Sequence, residues 1–163
     1  MINENENQEL DAIDLRILDQ LQSDASISNQ ALAQRVYVSP PTALRRVKRL
    51  MDAGLIERQI AVLNPERMAK LLGHGLTAVV EVTLDHQADE RLQTFEARVV
   101  QDAAVQQCYR VSSGPDFVLI VCARDMAAYQ ALAQRLFNSD ANVRNVKAFF
   151  SVKRAKFSPR VDF

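Results

Sequence analysis

The chain has few of the side chains from which metal sites and covalent catalytic sites are built. Its two cysteines, Cys108 and Cys122, fit no metal-ligand spacing, although a hairpin between them could bring them onto adjacent strands. Because the sequence shows no export signal, we expect two free thiols rather than a disulfide. The two histidines, His74 and His86, stand apart from any cysteine or carboxylate cluster, so we expect loop or surface positions and no metal site.

Other absences narrow the class of protein. Residues 1–9 are polar and acidic and lack the basic region and apolar run of a signal peptide, and no segment is long enough to span a bilayer. We therefore expect a cytoplasmic protein with no membrane partner. The sequence also has no Ser-His-Asp set, no glycine-rich phosphate loop and no paired carboxylates in a recognisable arrangement. It predicts neither an enzyme nor a cofactor.

Charge is unevenly placed in this chain. The 20 basic residues balance the 20 acidic ones overall, yet between positions 25 and 70 eight basic residues stand against three acidic ones. The basic residues of that segment are Arg35, Arg45, Arg46, Lys48, Arg49, Arg58, Arg67 and Lys70. A concentrated basic patch suits a polyanion better than solubility alone requires. With 48% hydrophobic residues, the 163-residue chain can form one or two small domains with their own cores.

Two short helices joined by a tight turn are predicted between Ser28 and Leu50. Ser28 is a good N-cap for the first helix. Ser39-Pro40 signals the start of the second, because the preset φ of proline suits a first turn that does not use the missing N–H. The inward stripe of the first helix is Ala31, Leu32, Ala33 and Val36, and that of the second is Ala43, Leu44, Val47, Leu50 and Met51.

The second helix also has a polar and basic face, made of Thr42, Arg45, Arg46 and Arg49 with Lys48 to the side. Two helices of this build predict a helix-turn-helix DNA reader, because an α-helix fits the major groove and arginine can bond guanine or phosphate there. The alternative is that these residues form only the solvated side of an amphipathic helix. Gly54 is the predicted C-terminal stop.

The flanking sequence extends this unit. Apolar residues at helical spacing predict a support helix over residues 10–22, and β-rich alternation predicts a wing or connecting strand over residues 55–63, ended by Asn64-Pro65. Residues 1–63 are therefore interpreted as a winged helix-turn-helix domain.

A second domain follows a linker at residues 64–75, which contains a helix over residues 65–72. The predicted order over residues 76–163 is strand 76–84, a helix around Leu92, Phe95 and Val99, strand 105–111, strand 117–123, a helix from Met126 to Leu136, and strand 143–152. This βαββαβ order predicts an α+β, ferredoxin-like domain with two helices on one face of a four-stranded antiparallel sheet. The other face must be buried, so we expect a homodimer with Phe149 or Phe150 at its interface.

Nearly the whole chain resembles the Lrp/AsnC family, the leucine-responsive regulatory protein and asparagine-synthesis regulator group. The order and spacing of several short pieces carry the resemblance. They are Leu10–Leu18, Ile27–Asn29, Val38–Pro40, Arg46–Leu50, Gly54–Ile56, Ala61–Pro65, Asp116–Phe117 and Asp125–Met126. The candidate DNA contacts are Ser28, Asn29, Ser39, Pro40, Thr42, Arg45, Arg46, Lys48 and Arg49.

The resemblance implies a regulator that binds double-stranded promoter DNA, responds to an amino-acid effector and assembles as a homodimer, often as an octamer of four dimers. In similar proteins the effector lies between dimers, near the turn between the second and third strands and near the last strand. Carried onto this chain, the effector contacts are Arg110, Ser113, Gly114, Pro115, Asp116, Phe149 and Ser151. Asp116 could accept the effector's ammonium group, and Arg110 or backbone N–H groups could bind its carboxylate.

Two departures from the family pattern matter for the structure. Relatives usually have glycine three positions before the aspartate of the turn, where this chain has Ser113. The Pro40-Pro41 pair predicts a second helix that starts one residue later, because proline disfavours helical geometry in the residue before it. Two alternatives stay open: residues 112–116 could be a β-turn shaped by Gly, Pro and Asp alone, and the protein could be a non-specific, DNA-compacting architectural protein without an effector.

Overall fold

The computed structural model describes residues 9–73 and 75–163 and divides them into two compact units. The first unit contains the described residues up to Val62 together with Phe157–Phe163, and the second unit is Leu63–Lys156. The sequence placed residues 157–163 in the C-terminal domain. In the structure this segment packs with the N-terminal helices instead, and its contacts are given below.

Three helices build the first unit: α1 (Ala12–Ser23), α2 (Asn29–Arg35) and α3 (Pro40–Asp52). Their inward stripes meet in one core, in which Ile17, Leu32, Val36 and Leu50 are buried. The predicted support helix and helix pair are confirmed. The helix α3 begins at Pro40, so the prediction of a later start is wrong: Pro40 and Pro41 occupy the first turn, where a missing N–H costs no helical hydrogen bond.

The segment that follows α3 does not form the predicted strand. Residues 55–63 have no regular structure, and Ile60, Val62 and Leu63 are exposed. An extended segment needs a neighbouring strand to satisfy its backbone groups, and this chain supplies none there. The prediction of a strand over residues 55–63 is therefore wrong.

The C-terminal segment lies against α1 in the first unit. The side-chain amide of Gln22 both accepts from the Val161 backbone N–H, at 2.6 Å, and donates to the Val161 carbonyl, at 3.0 Å. Arg160 forms an ion pair with Asp19 and donates to Ser23 Oγ. These bonds hold the segment along the outer face of α1.

The second unit begins with α4 (Pro65–Leu72) and continues as β1 (Leu76–Leu84), α5 (Asp89–Val99), β2 (Val105–Arg110), β3 (Phe117–Ala123), α6 (Met126–Ala133) and β4 (Val143–Phe150). A π-helical turn, Gln134–Asn138, extends α6. The strands form one sheet in the order β2-β3-β1-β4, with every neighbouring pair antiparallel. The predicted ferredoxin-like βαββαβ fold is confirmed.

The strands alternate between a buried face and an open face, as a sheet covered on one side requires. Phe95 of α5 and Leu132 of α6 pack on alternate residues of β1 and β3, among them Val80 and Leu119. The open face carries the intervening residues Val79, Val118, Ile120 and Phe149. Phe149 is 53% exposed, whereas Phe150 lies on the helix side with its ring 5.0 Å from that of Tyr129.

The two cysteines lie on opposite faces of the sheet. Cys108 pairs in register with Leu119 and packs against the helix-side core, whereas Cys122 is on the open face. Both are free thiols, as the sequence predicted. His86 is exposed, in agreement with its expected surface position, and His74 lies outside the described residues.

Candidate nucleic-acid interface and effector site

The basic face of α3 is divided between arginines that hold the fold and cations that face solvent. Arg45 and Lys48 are exposed and form no ion pair or side-chain hydrogen bond within the described residues. Arg46 and Arg49 instead reach across to α1. The basic residues of α3 therefore fall into two groups. Arg45 and Lys48 face solvent, whereas Arg46 and Arg49 are paired with α1.

Asp14 of α1 is the residue that separates the two groups. Its side chain is 1% exposed, and it accepts from Arg46 Nη1 at 2.8 Å and from Arg49. Arg46 Nη1 also lies 2.8 Å from Asp11, and its side chain is 19% exposed. Asp14 was not among the residues predicted from the sequence, although the Asp11-x-x-Asp14 spacing is a capping-box signal: each carboxylate accepts from the other residue's backbone N–H.

The charges at this junction perturb one another. The backbone N–H of Asp14 and the guanidinium of Arg46 lower the pKa of the Asp11 carboxyl to about 2. The carboxylates of Asp14 and Asp11 in turn raise the pKa of Arg46. Both shifts favour the charged forms of Asp11 and Arg46, so an ion pair as well as the apolar core fixes α3 to α1.

The remaining DNA-contact candidates lie at the first turns of α2 and α3. Ser28 caps α2 by accepting from the Ala31 N–H at 3.2 Å, and Asn29 Nδ2 donates to the Pro40 carbonyl at 2.8 Å. The second bond ties the start of α2 to the start of α3. Ser39 makes no side-chain bond to the backbone of α3 but lies 2.8 Å, Oγ to Oγ1, from Thr42. The side chains of Ser28, Asn29, Ser39 and Thr42 therefore lie close to the N-terminal ends of α2 and α3, which the bond from Asn29 to Pro40 holds together.

The effector candidates of the β2–β3 turn form one ordered loop. The Asp116 N–H donates to the Val82 carbonyl at 2.9 Å, and Asp116 Oδ2 accepts from the Leu84 N–H at 2.7 Å. Ser113 has φ +68° and Gly114 has φ +122°, both in the left-handed region. Ser113 thus adopts a backbone conformation that favours glycine, at a cost of order 1 kcal/mol. Pro115 and Asp116 are half-buried.

The other three effector candidates lie on two different strands or next to them: Arg110 is on β2, Phe149 is on β4, and Ser151 follows β4. Arg110 lies on the helix side of β2 and pairs with Asp89 and Glu96 of α5, each at 2.9 Å, and these bonds raise the pKa of its guanidinium. Phe149 lies on the open face of β4, and the Ser151 N–H donates to the Thr77 carbonyl at 2.8 Å. Strands β2 and β4 are the two edges of the sheet.

One chain therefore does not bring the seven effector candidates together. Three strand spacings, about 14 Å, separate the β2 edge from the β4 edge. The turn also lies at the end of the sheet where Val82 pairs with Phe117, while Ser151 lies at the opposite end, beside Thr77. A site that used both groups would need a second copy of the chain.

Two family models match most of the chain. Residues 10–57 match a winged helix-turn-helix DNA-binding model, and residues 77–161 match the model of the Lrp/AsnC ligand binding domain. Each match covers the core of one structural unit. The first spans all three helices of the first unit, and the second spans the four-stranded sheet except for the first residue of β1.

Individual relatives are similar to this chain along nearly its whole length. The leucine-responsive regulatory protein of Rhizobium meliloti is 38% identical over 154 residues, which cover 94% of this chain and 96% of the relative. The crystal structure of an AsnC family transcriptional regulator from Agrobacterium tumefaciens has a TM-score of 0.81 at 27% identity, covering 94% of this chain and 97% of that one.

A second solved structure is equally similar. A transcriptional regulator from Neisseria meningitidis, crystallised as an L-Met complex, has a TM-score of 0.81 at 30% identity, covering 94% of this chain and 97% of that one. The relatives are transcriptional regulators rather than enzymes. Within residues 9–73 and 75–163 no cluster of three or more metal-ligating side chains is present, and no helix is long and apolar enough to span a membrane.

Proposed function

Because the chain belongs to the Lrp/AsnC family of transcriptional regulators, we propose that it is a sequence-specific DNA-binding protein whose DNA affinity or oligomeric state is set by an amino acid. The observation that carries the proposal is the exposed part of α3, where Arg45 and Lys48 face solvent without a partner among the described residues. A basic helix surface in a helix-turn-helix unit fits the major groove.

The contacts of α3 suggest a division of tasks. Thr42, Arg45 and Arg49 are three and four residues apart, so they share one helix face. Arg45 is placed to read base edges or phosphates, with Lys48 beside it as a phosphate contact. Arg49 retains partial exposure next to Asp14, whereas Arg46 is committed to Asp11 and Asp14 and supports the position of α3.

We propose that two chains join through the open face of the sheet. Val79, Val118, Ile120 and Phe149 form an apolar surface there, and Glu81 lies in register with Lys147 on the same face. An apolar sheet face of this kind is normally covered in the native assembly. A twofold dimer would pair two α3 helices for two half-sites of one operator.

The effector site proposed from the family resemblance lies between chains. The turn with Ser113, Gly114, Pro115 and Asp116 is at one end of the sheet, where Asp116 is bonded to β1. Phe149 lies on the open face of β4 and Ser151 at the opposite end of the sheet, beside Thr77, so contacts between dimers could bring the two groups together. Asp116 would accept from the ammonium group, and backbone N–H groups of the turn would bind the carboxylate. Arg110 could take part only by exchanging Asp89 or Glu96 for the effector's carboxylate.

The alternative function is that of a non-specific architectural protein that compacts DNA without an effector. Competition binding separates the two. The protein is titrated into labelled DNA from upstream of its own gene, with unlabelled upstream DNA or scrambled DNA of equal length as competitor. A specific regulator binds in the nanomolar range and resists the scrambled competitor. Equal competition by both DNAs would support the architectural function, and no retained complex even at low salt would reject both.

The effector is found by a thermal-shift screen of the twenty amino acids. A ligand that binds the native state alone raises the melting temperature. The Neisseria meningitidis regulator was crystallised with L-Met, so apolar amino acids are the first to test. If none of the twenty amino acids changes the melting temperature or the DNA affinity, the effector part of the proposal fails.

A further inference from the structure

Two helices of the first unit end in the same hydrogen-bonded motif. At the end of α2, the Tyr37 N–H donates to the Gln34 carbonyl at 3.3 Å and the Val38 N–H to the Ala33 carbonyl at 3.0 Å. At the end of α3, Gly54 donates to Met51 at 2.9 Å and Leu55 to Leu50 at 3.0 Å. Both pairs are the 5→2 and 6→1 bonds of a Schellman motif.

The motif requires a residue with a left-handed backbone conformation after the helix. The chain has a glycine there after α3 and a tyrosine after α2. Gly54 has φ +71°, and Tyr37 has φ +60°. Glycine adopts this conformation without strain because it has no Cβ, whereas a bulky side chain there is a genuine outlier. The glycine used after α3 would fit equally well after α2, so the fold alone does not account for Tyr37.

Within residues 9–73 and 75–163, the Tyr37 side chain makes no packing contact that would offset the backbone strain. Its side chain is 88% exposed and makes no hydrogen bond or aromatic contact within the described part of the chain. Its neighbour Val38, by contrast, packs against the core of the first unit. A strained, exposed aromatic residue with no internal partner is the type of outlier that is retained for a contact outside the chain.

The position of Tyr37 indicates which contact that is. It lies in the turn of the helix pair, three residues before the start of α3, so its Cα is within about 11 Å of the first turn of that helix. The major groove that would receive α3 is about 12 Å wide and is bounded by phosphates. Tyrosine hydroxyls commonly donate to DNA phosphates.

We propose that Tyr37 is a DNA-contacting residue whose phenolic O–H donates a hydrogen bond to a backbone phosphate beside the groove occupied by α3. The inference rests on the proposed DNA-binding function and deepens it. Strain in the turn is retained because the tyrosine side chain reaches DNA, which glycine at the same position could not do.

The test uses the full-length protein and two variants. Tyr37→Phe removes the hydroxyl alone, and it should raise the Kd for upstream DNA about three- to tenfold with an unchanged melting temperature. Because no charge is lost, the slope of log Kd against log salt should stay the same. Tyr37→Gly relieves the strain, and it should raise the melting temperature by roughly 2–5 °C while weakening DNA binding at least as much.

Tyr129→Phe is the matched control, since it removes a hydroxyl from a tyrosine on the helix side of the second unit's sheet, away from the open face, and should leave DNA affinity unchanged. Wild-type affinity in both Tyr37 variants would overturn the proposal, and so would a lower melting temperature in Tyr37→Gly, which would make the residue structural. A change of oligomer size in the variants would assign Tyr37 to a contact between protein chains instead. If the wild-type protein itself binds no DNA, the proposed function fails and this inference fails with it.

Discussion

Arg46 Nη1 of α3 lies 2.8 Å from Oδ1 of Asp14, a carboxylate on α1 that is almost wholly buried. With Arg49 on the other oxygen, this carboxylate fixes two of the four cations of α3 to the support helix. Two of the four cations of α3 therefore hold the helix against α1, and the other two, Arg45 and Lys48, remain available to DNA.

Replacing Asp14 with Ala should destabilise the first unit by roughly 2–3 kcal/mol, because Arg46 and Arg49 lose their shared partner in a partly buried setting. Chemical denaturation followed by circular dichroism measures this. Asp19→Ala, on the exposed side of α1, is the control and should cost less than about 1 kcal/mol. Equal effects of the two substitutions would show that the Asp14 network contributes little to stability.

Replacing Arg45 with Ala should weaken binding to upstream DNA without a change in melting temperature, and should lower the salt slope by about one. Lys48→Ala should behave in the same way. Arg46→Ala, in contrast, should lower the melting temperature, since Asp14 and Asp11 lose a partner. If Arg45→Ala retained wild-type affinity while Arg46→Ala lost it at full stability, the division of the basic face would be reversed.

Acid should weaken the α1–α3 junction in a defined pH range. The pKa of Asp11 is about 2 in the folded protein and 3.8 in an unperturbed chain. Its ionised form therefore contributes stability above pH 3.8, and the contribution is lost as the pH falls toward 2. Asp11→Asn keeps a capping oxygen but does not titrate. The difference in unfolding free energy between wild type and this variant should shrink as the pH falls through that range, and a constant difference would contradict the assignment.

Removing residues 157–163 should lower the stability of the first unit by about 1–2 kcal/mol. Val161 and Phe163 line a groove of about 560 Å³ whose other walls include Leu18, Leu21 and Ile60. Deletion would increase the exposure of Leu18 and Leu21 and leave Gln22 without its two bonds to Val161. The matched control is Arg160→Ala, which removes the surface ion pair with Asp19 and the hydrogen bond to Ser23 Oγ and should have a smaller effect. A melting temperature equal to that of wild type after the deletion would show that the segment is not held in solution.

Replacing Asp116 with Ala should abolish the response to the amino acid and leave DNA affinity unchanged in its absence. Because Asp116 Oδ2 also accepts from the Leu84 N–H, Asp116→Asn is tested beside it: the amide retains an oxygen for that bond but loses the charge that would bind an ammonium group. Calorimetric titration with the effector measures both variants. Unchanged effector affinity in Asp116→Asn would remove Asp116 from the site.

Local patterns in the sequence were sufficient to predict most of the fold. The cap at Ser28, the Pro65 helix start, the alternation of β1 and the apolar run of β3 depend on neighbouring residues alone, and the structure agrees with them. The strand expected over residues 55–63 is absent because pairing depends on a partner strand, which periodicity cannot supply. The docking of residues 157–163 depends likewise on a contact between the two ends of the chain.

The candidate DNA site was predicted in outline but not in detail. Helical spacing placed Arg45, Arg46 and Arg49 on one face, yet spacing does not reveal that Asp14, more than 30 residues earlier, neutralises two of them. For the effector site, the turn at residues 112–116 could be located from Gly, Pro and Asp. The separation of Arg110 from Phe149 follows from strand order and the side of the sheet, which appear only in the folded chain.

The proposed function requires that an amino acid control the affinity of this protein for a specific DNA site. The most direct test is the Kd for the upstream DNA fragment, measured by fluorescence anisotropy at fixed salt, with and without the amino acid that raises the melting temperature most. We expect nanomolar binding to this DNA and a change in Kd of about fivefold or more on addition of that amino acid. A Kd that is the same with and without it, or the same for scrambled DNA, would contradict the claim.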